Sequence, residues 1–120
     1  MIEIRTIIPF DKEMKRLRKK YHSLIKDYAV WLDELRNNPL MGTDLGDGIH
    51  KVRVAISSKN KGKSGGARII TDTTAILSLE KGVITLLYIY DKSERGNISD
   101  KEIDELKKIL KEIPSNNSYK

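Results

Sequence analysis

Between Asp47 and Asp72 the chain has no acidic residue and six basic ones: Lys51, Arg53, Lys59, Lys61, Lys63 and Arg68. Over its 120 residues, 23 Lys and Arg stand against 17 Asp and Glu, a formal charge of +6. The other 17 basic residues are matched by the 17 acidic ones, so the net charge falls in this one segment. Its centre, Lys59–Arg68 (KNKGKSGGAR), mixes cations with glycines, which let backbone approach a ligand closely. Just upstream, Lys51 and Arg53 alternate with Val52 and Val54, which places the two cations on the open face of a half-buried strand. Cations from two adjacent strands and the loop joining them then converge on one surface. Such a surface suits a nucleic-acid backbone.

Other chemistries fit poorly. Gly62–Ser64 reads GKS, but a phosphate loop needs glycine where Ser57 stands, and the segment leads into a strand instead of opening a helix. Asp44, Asp47 and the neighbouring glycines lack the spacing and the bidentate Glu of a calcium loop. His22 and His50 are the only histidines, and neither has a ligand-spaced partner. Without cysteine there is no disulfide framework, thiolate nucleophile or Cys-based metal site. No apolar run approaches the roughly 18–20 residues of a membrane span, and MIEIRTII lacks the pattern of a secretory signal. A cytoplasmic protein with no membrane partner is expected.

These residues must be held by a small scaffold. The length corresponds to one domain, expected over 1–114, followed by a disordered polar tail over 115–120. Ile2–Ile8 reads as a strand that Pro9 ends. From Phe10 the spacing turns helical, with Phe10, Met14, Leu17 and Tyr21 on one face. A second helix, N-capped by Ser23, presents Leu24, Tyr28, Leu32 and Leu35 with Trp31 beside them, and stops before Pro39. Tyr21, Tyr28 and Trp31 are expected in the core. Leu40–Gly48 reads as a glycine-punctuated loop. Strands follow at Ile49–Ile56, Ala67–Leu79 and Val83–Asp91, with a turn at Glu80–Gly82. The last helix opens on a capping box, Ser99 with Glu102, and a hydrophobic staple of Ile98 and Ile103. Its buried stripe is Ile103, Leu106, Leu110 and Ile113. The order β-α-α-β-β-β-α predicts an α+β fold, with a helical hairpin and a C-terminal helix packed on a mainly antiparallel four-stranded sheet.

The run HKVRVAISSKNKGKSGGARII, followed by LLYIYDKSE and a capped helix, resembles the RelE-like toxins of type II toxin–antitoxin systems, and most closely their HigB-type branch. The resemblance spans almost the whole chain. The glycine–lysine and tyrosine–lysine motifs are fairly specific in combination. The likeness implies a ribosome-dependent mRNA endoribonuclease that uses no metal or cofactor and is inhibited by a cognate antitoxin. That antitoxin would be a small helix-turn-helix DNA-binding protein, through which alone operator DNA would be engaged. Arg53, Lys61, Lys63 and Arg68 match the family's basic positions, and Tyr90 and Lys92 its later motif. The catalytic set is therefore Lys63, Arg68, Tyr90 and Lys92, with Lys51, Arg53, Lys59, Lys61 and Arg95 binding RNA. Arg68 is expected to clamp the phosphate, and Lys63 to act as general base or transition-state partner.

The residue types suit that reaction. Attack of a 2′-OH on the adjacent phosphate requires a base, stabilisation of an anionic phosphorane and a proton for the 5′-oxygen. Fixed cations stabilise the phosphorane and lower the pKa of a neighbouring Lys or Tyr. Arg offers a bidentate fork that is always charged. Only RNA carries the nucleophile.

The chain departs from the HigB pattern where Thr71 and Asp72 replace residues that are often aromatic. Asp72 could act as a base, pair with Arg68 or weaken RNA binding. Two other functions compete with the toxin: a catalytically degenerate module that binds RNA or protein, and a partner subunit whose basic face docks an acidic protein.

Overall fold

The computed structural model describes residues 1–60, 62 and 65–113. The tail 115–120 lies outside the described residues. Strand β1 (Ile2–Thr6) leads into α1 (Ile8–Lys20) and α2 (Leu24–Asn37). Then come β2 (Thr43–Gly46), β3 (Ile49–Val54), a 3-10 turn (Ser57–Lys59), β4 (Ala67–Ser78), β5 (Lys81–Asp91) and α3 (Asp100–Lys111). The sheet order is β1-β5-β4-β3-β2, with β1 parallel to β5 and the other pairs antiparallel.

The α+β class and the order of the expected elements hold, but the sheet has five strands instead of four. The extra strand, β2, lies in the expected Leu40–Gly48 loop. Asp47 and Gly48, at φ 54° and 78°, make the tight connection from β2 to β3. Asp-Gly is a strong two-residue hairpin signal, but β2 is exposed along its length and offers no apolar alternation to reveal it. The start of α1 also shifts. Pro9 lies inside its first turn instead of ending a strand, because a fixed φ and a missing N–H are tolerated there.

Both faces of the sheet are covered. Helices α1 and α2 bury Phe10, Leu17, Leu24, Trp31 and Leu35 against Val52, Val54, Ile69, Ile84, Leu86 and Ile89. Trp31, expected beside the stripe, is fully in the core. On the other face Ile98, Ile103 and Leu106 pack on Ile49, Ile70, Leu87 and Tyr90. Burial from both sides explains why β5 reads as a nearly unbroken apolar run. The α3 capping box forms in full, with the Ser99 side chain accepting from the Glu102 N–H and the Glu102 side chain accepting from the Ser99 N–H. Among the described residues no helix is long and apolar enough to cross a membrane.

One irregularity in β5 decides what the α3 face presents. Ile70 pairs with Tyr88, but Thr71 pairs with Leu86, so Leu87 is an extra, bulged residue. Strict alternation would put Tyr90 on the same face as Leu86. The bulge reverses the parity and turns Tyr90 toward α3.

Candidate active site

Arg53, Arg68 and Tyr90 stand in direct register across three neighbouring strands: Arg53 opposite Arg68, and Arg68 opposite Tyr90. Neighbouring strands lie about 4.8 Å apart, so the three side chains start as one transverse row on the α3 face. Two residues along, Lys51, Ile70 and Tyr88 form the next row. Arg53 is exposed, whereas Arg68 and Tyr90 keep only 6% and 2% of their surface.

The segment after β5 folds back beside this row. The Arg95 guanidinium lies 5.6 Å from the centre of the Tyr90 ring. Arg95 Nη2 donates to Glu102 Oε1 at 2.7 Å and its Nε to the Asn97 carbonyl at 2.9 Å. Lys51 Nζ reaches the Asn97 side chain at 3.2 Å. Lys92 is exposed, and its Nζ donates to the Gly96 carbonyl. The structure therefore groups Lys51, Arg53, Arg68, Tyr90 and Arg95, with Lys92 at the margin. Lys61 and Lys63 lie outside the described residues.

Lys59 does not join this face. Its ammonium binds Asp91 Oδ1 at 2.8 Å, and its side chain is 8% exposed. Glu94 also turns away, onto Arg16 and Lys20 of α1. Asp72 Oδ1 accepts from both the N–H and the hydroxyl of Thr74, at 2.8 and 2.6 Å. It sits four residues along β4 from Arg68, about 13 Å at strand rise. Thr71 is buried opposite His50 and Leu86, on the face of the helical hairpin.

Burial sets the electrostatics. It lowers the Arg68 pKa from its usual value, and the neighbouring Arg53 charge adds to the effect. Tyr90 is pushed up, because burial outweighs the pull of Arg68 and Arg95. The expected lowering of a tyrosine pKa by clustered cations is thus reversed here by desolvation. Tyr90 holds its proton at neutral pH. Among the described residues its hydroxyl has no hydrogen-bond partner. Buried and protonated, it is poorly suited to act as a base.

The stem of the glycine–lysine loop is fastened by two carboxylates that sequence reading missed. Asp27 of α2 takes the Ser57 N–H at 2.8 Å and both the Ser57 and Ser23 hydroxyls. Asp91 takes Lys59 and the Tyr21 hydroxyl. Gly66 lies so close to β3 that a Cβ there would stand 2.0 Å from the Val54 carbonyl oxygen. Tyr21, expected as core, does pack its ring against the core, and its hydroxyl is in addition a polar tether to Asp91. The one available signal was Asp91 itself, an acid closing an apolar strand next to Tyr90.

Fold and face together define a small α+β protein whose sheet sets two arginines and a protonated tyrosine side by side on one face. The model of the family described as the RelE toxin of the RelE / RelB toxin-antitoxin system matches residues 9–119, and the chain belongs to that family. Its members are toxins of toxin–antitoxin systems, pair with a cognate antitoxin and are generally endoribonucleases. A comparison with curated proteins gives no match.

Proposed function

We propose that the protein is a HigB-type, ribosome-dependent and metal-independent mRNA endoribonuclease that acts in the cytoplasm. The row Arg53–Arg68–Tyr90 carries this reading, since it aligns two cations and a proton donor on one face. The 2′-oxygen attacks the adjacent phosphorus and gives up its proton to a base, for which Lys63 is the candidate. Arg68 and Arg53 stabilise the phosphorane as its charge develops. The P–O5′ bond breaks, and Tyr90 protonates the leaving 5′-oxygen. The products are a 2′,3′-cyclic phosphate and a 5′-hydroxyl. Lys51, Lys61, Lys92 and Arg95 hold the flanking backbone. The partner that silences the enzyme is a small helix-turn-helix antitoxin, which also supplies the contact with operator DNA.

The test is tightly induced expression in a bacterial host, with mRNA 5′ ends mapped beside an Arg68→Ala control. Growth arrest with new cuts in translated frames is expected. In purified form Arg68→Ala should lower cleavage about 10²–10³-fold, as loss of one transition-state donor does, with an unchanged circular dichroism spectrum. Intact mRNA and unimpaired growth with soluble, folded parent protein would overturn the reading.

A further inference from the structure

Tyr90 faces α3, and the next residue, Asp91, faces the helical hairpin and is fully buried. Its carboxylate accepts from Lys59 Nζ at 2.8 Å, the Tyr21 hydroxyl at 2.5 Å, and the N–H and hydroxyl of Ser93 at 2.9 and 2.7 Å. Lys20 Nζ stands 3.5 Å away. Lys59 also donates to the Ser93 hydroxyl at 3.0 Å, and both Lys59 and Lys20 lie just over 5 Å from the Tyr21 ring centre. One carboxylate thus binds the end of α1, the 3-10 turn and the end of β5.

This junction is mechanically linked to the row on the opposite face. Asp91 is the register partner of Ala67, one step from the pairing of Arg68 with Tyr90. Arg68 Nη1 donates to the Ala67 carbonyl at 3.1 Å. A shift at the Asp91–Ala67 pair therefore moves one carbonyl that binds the guanidinium, and the backbone that carries Tyr90. Burial of Lys59 also removes its charge from contact with a ligand. A buried ion pair adds little net stability over apolar packing, but its directional bonds fix geometry.

We propose, resting on the function above, that Asp91 is a positioning residue for Arg68 and Tyr90, and that Lys59 and Tyr21 serve it from inside the fold, without Lys59 contacting RNA. Removing Asp91 alone strands Lys59, and removing Lys59 alone leaves Asp91 with only the longer contact to Lys20, so the informative variant is Lys59→Met/Asp91→Asn, which removes both. Tyr21→Phe keeps the ring and deletes one bond to the carboxylate.

The experiment is single-turnover cleavage of ribosome-bound mRNA by the full chain. It measures maximal rate, half-saturating concentration and salt dependence. In the double variant the maximal rate should fall about 10- to 100-fold, as sub-ångström to 1 Å misplacement does. Half-saturation and salt slope should stay parental, and Tyr21→Phe should lose several-fold in rate by the same pattern. Parental rates in both variants would overturn the proposal. So would a raised half-saturation with a salt slope smaller by about one in the double variant, the signature of a lost phosphate contact. If the double variant does not fold, Tyr21→Phe decides alone, and a parental maximal rate sinks the idea. A parent that cuts no ribosome-bound mRNA would overturn the endoribonuclease reading and this proposal with it. A cutting parent with indifferent variants overturns only the latter.

Discussion

Desolvation acts on Arg68 and Tyr90 in the same sense, against the charged form of each, and the outcomes differ because arginine starts from so high a pKa. Arg68 remains a cation and Tyr90 keeps its proton. Tyr90→Phe separates catalysis from packing. On the proposed mechanism, in which Tyr90 is the general acid, the maximal cleavage rate should fall about 10²-fold. Stability should not fall, because the deleted hydroxyl is buried with no hydrogen-bond partner among the described residues. Cleavage rate and melting temperature, measured side by side, check both halves. Parental cleavage would leave Tyr90 as a packing residue. Asp72, which from sequence had three possible roles at the site, is engaged with Thr74 and sits well along β4 from Arg68.

At the scale of elements, the local signals that worked were those whose partners are near in sequence. The α3 capping box joins Ser99 to Glu102 within one turn, and the staple residues Ile98 and Ile103 are buried together. Ser99→Ala should cost about 1 kcal/mol, a fall in melting temperature of about 4 °C, readable by thermal unfolding. Cleavage should change little, provided that Arg95 keeps its bond to Glu102. The entry to β4 is less forgiving. Gly66→Ala forces a Cβ against the Val54 carbonyl. It should lower the melting temperature more than Ser99→Ala and reduce cleavage as well, since β3 and β4 must separate beside Arg53 and Arg68. A variant that melts and cleaves like the parent would show that the strand pair can yield there. Where elements were misjudged, the deciding contact was a neighbouring strand. The exposed β2 exists because β3 offers it a ladder, and the bulge at Leu87 exists only in the pairing of β4 with β5.

Across the molecule, ion pairs link elements far apart in the chain: Arg16 and Lys20 of α1 meet Glu94, and Lys59 meets Asp91, while the Arg95–Glu102 pair is local. Hydrogen bonds from Arg16 and Lys20 hold the Glu94 carboxyl down at about 2, and Arg95 with the Ser99 N–H holds Glu102 at about 2. Asp91 lies below the usual carboxylate range despite its burial, owing to Lys59, Tyr21 and Ser93. Each of these acids binds protons more weakly when folded than when unfolded. Their stabilisation is therefore present above the ordinary carboxylate values, and it is lost as pH falls, through about 2 for Glu94 and Glu102 and lower still for Asp91. Melting temperature should be nearly level from pH 7 to 5 as far as these groups act, and should drop steeply from pH 4.5 to 2. Thermal unfolding across that range checks it, and a level profile down to pH 2 would show that the pairs contribute nothing.

The basic segment, the alternation of Lys51 and Arg53 with valines, the apolar stripes and the α3 cap were legible in the chain, because each depends on composition or on spacing within a few residues. So were the α+β class and the family motifs. Other features were not legible, because they depend on which residues stand opposite one another. Lys59 looked like one more solvent-facing cation until the fold set a buried carboxylate beside it. Tyr90 would have faced the wrong side without a bulge that only strand pairing creates. Its proton affinity follows from burial on one face of a two-sided sheet, a quantity that no local pattern contains. Charge and periodicity are properties of the chain, whereas register and desolvation arise only when distant segments exclude water together.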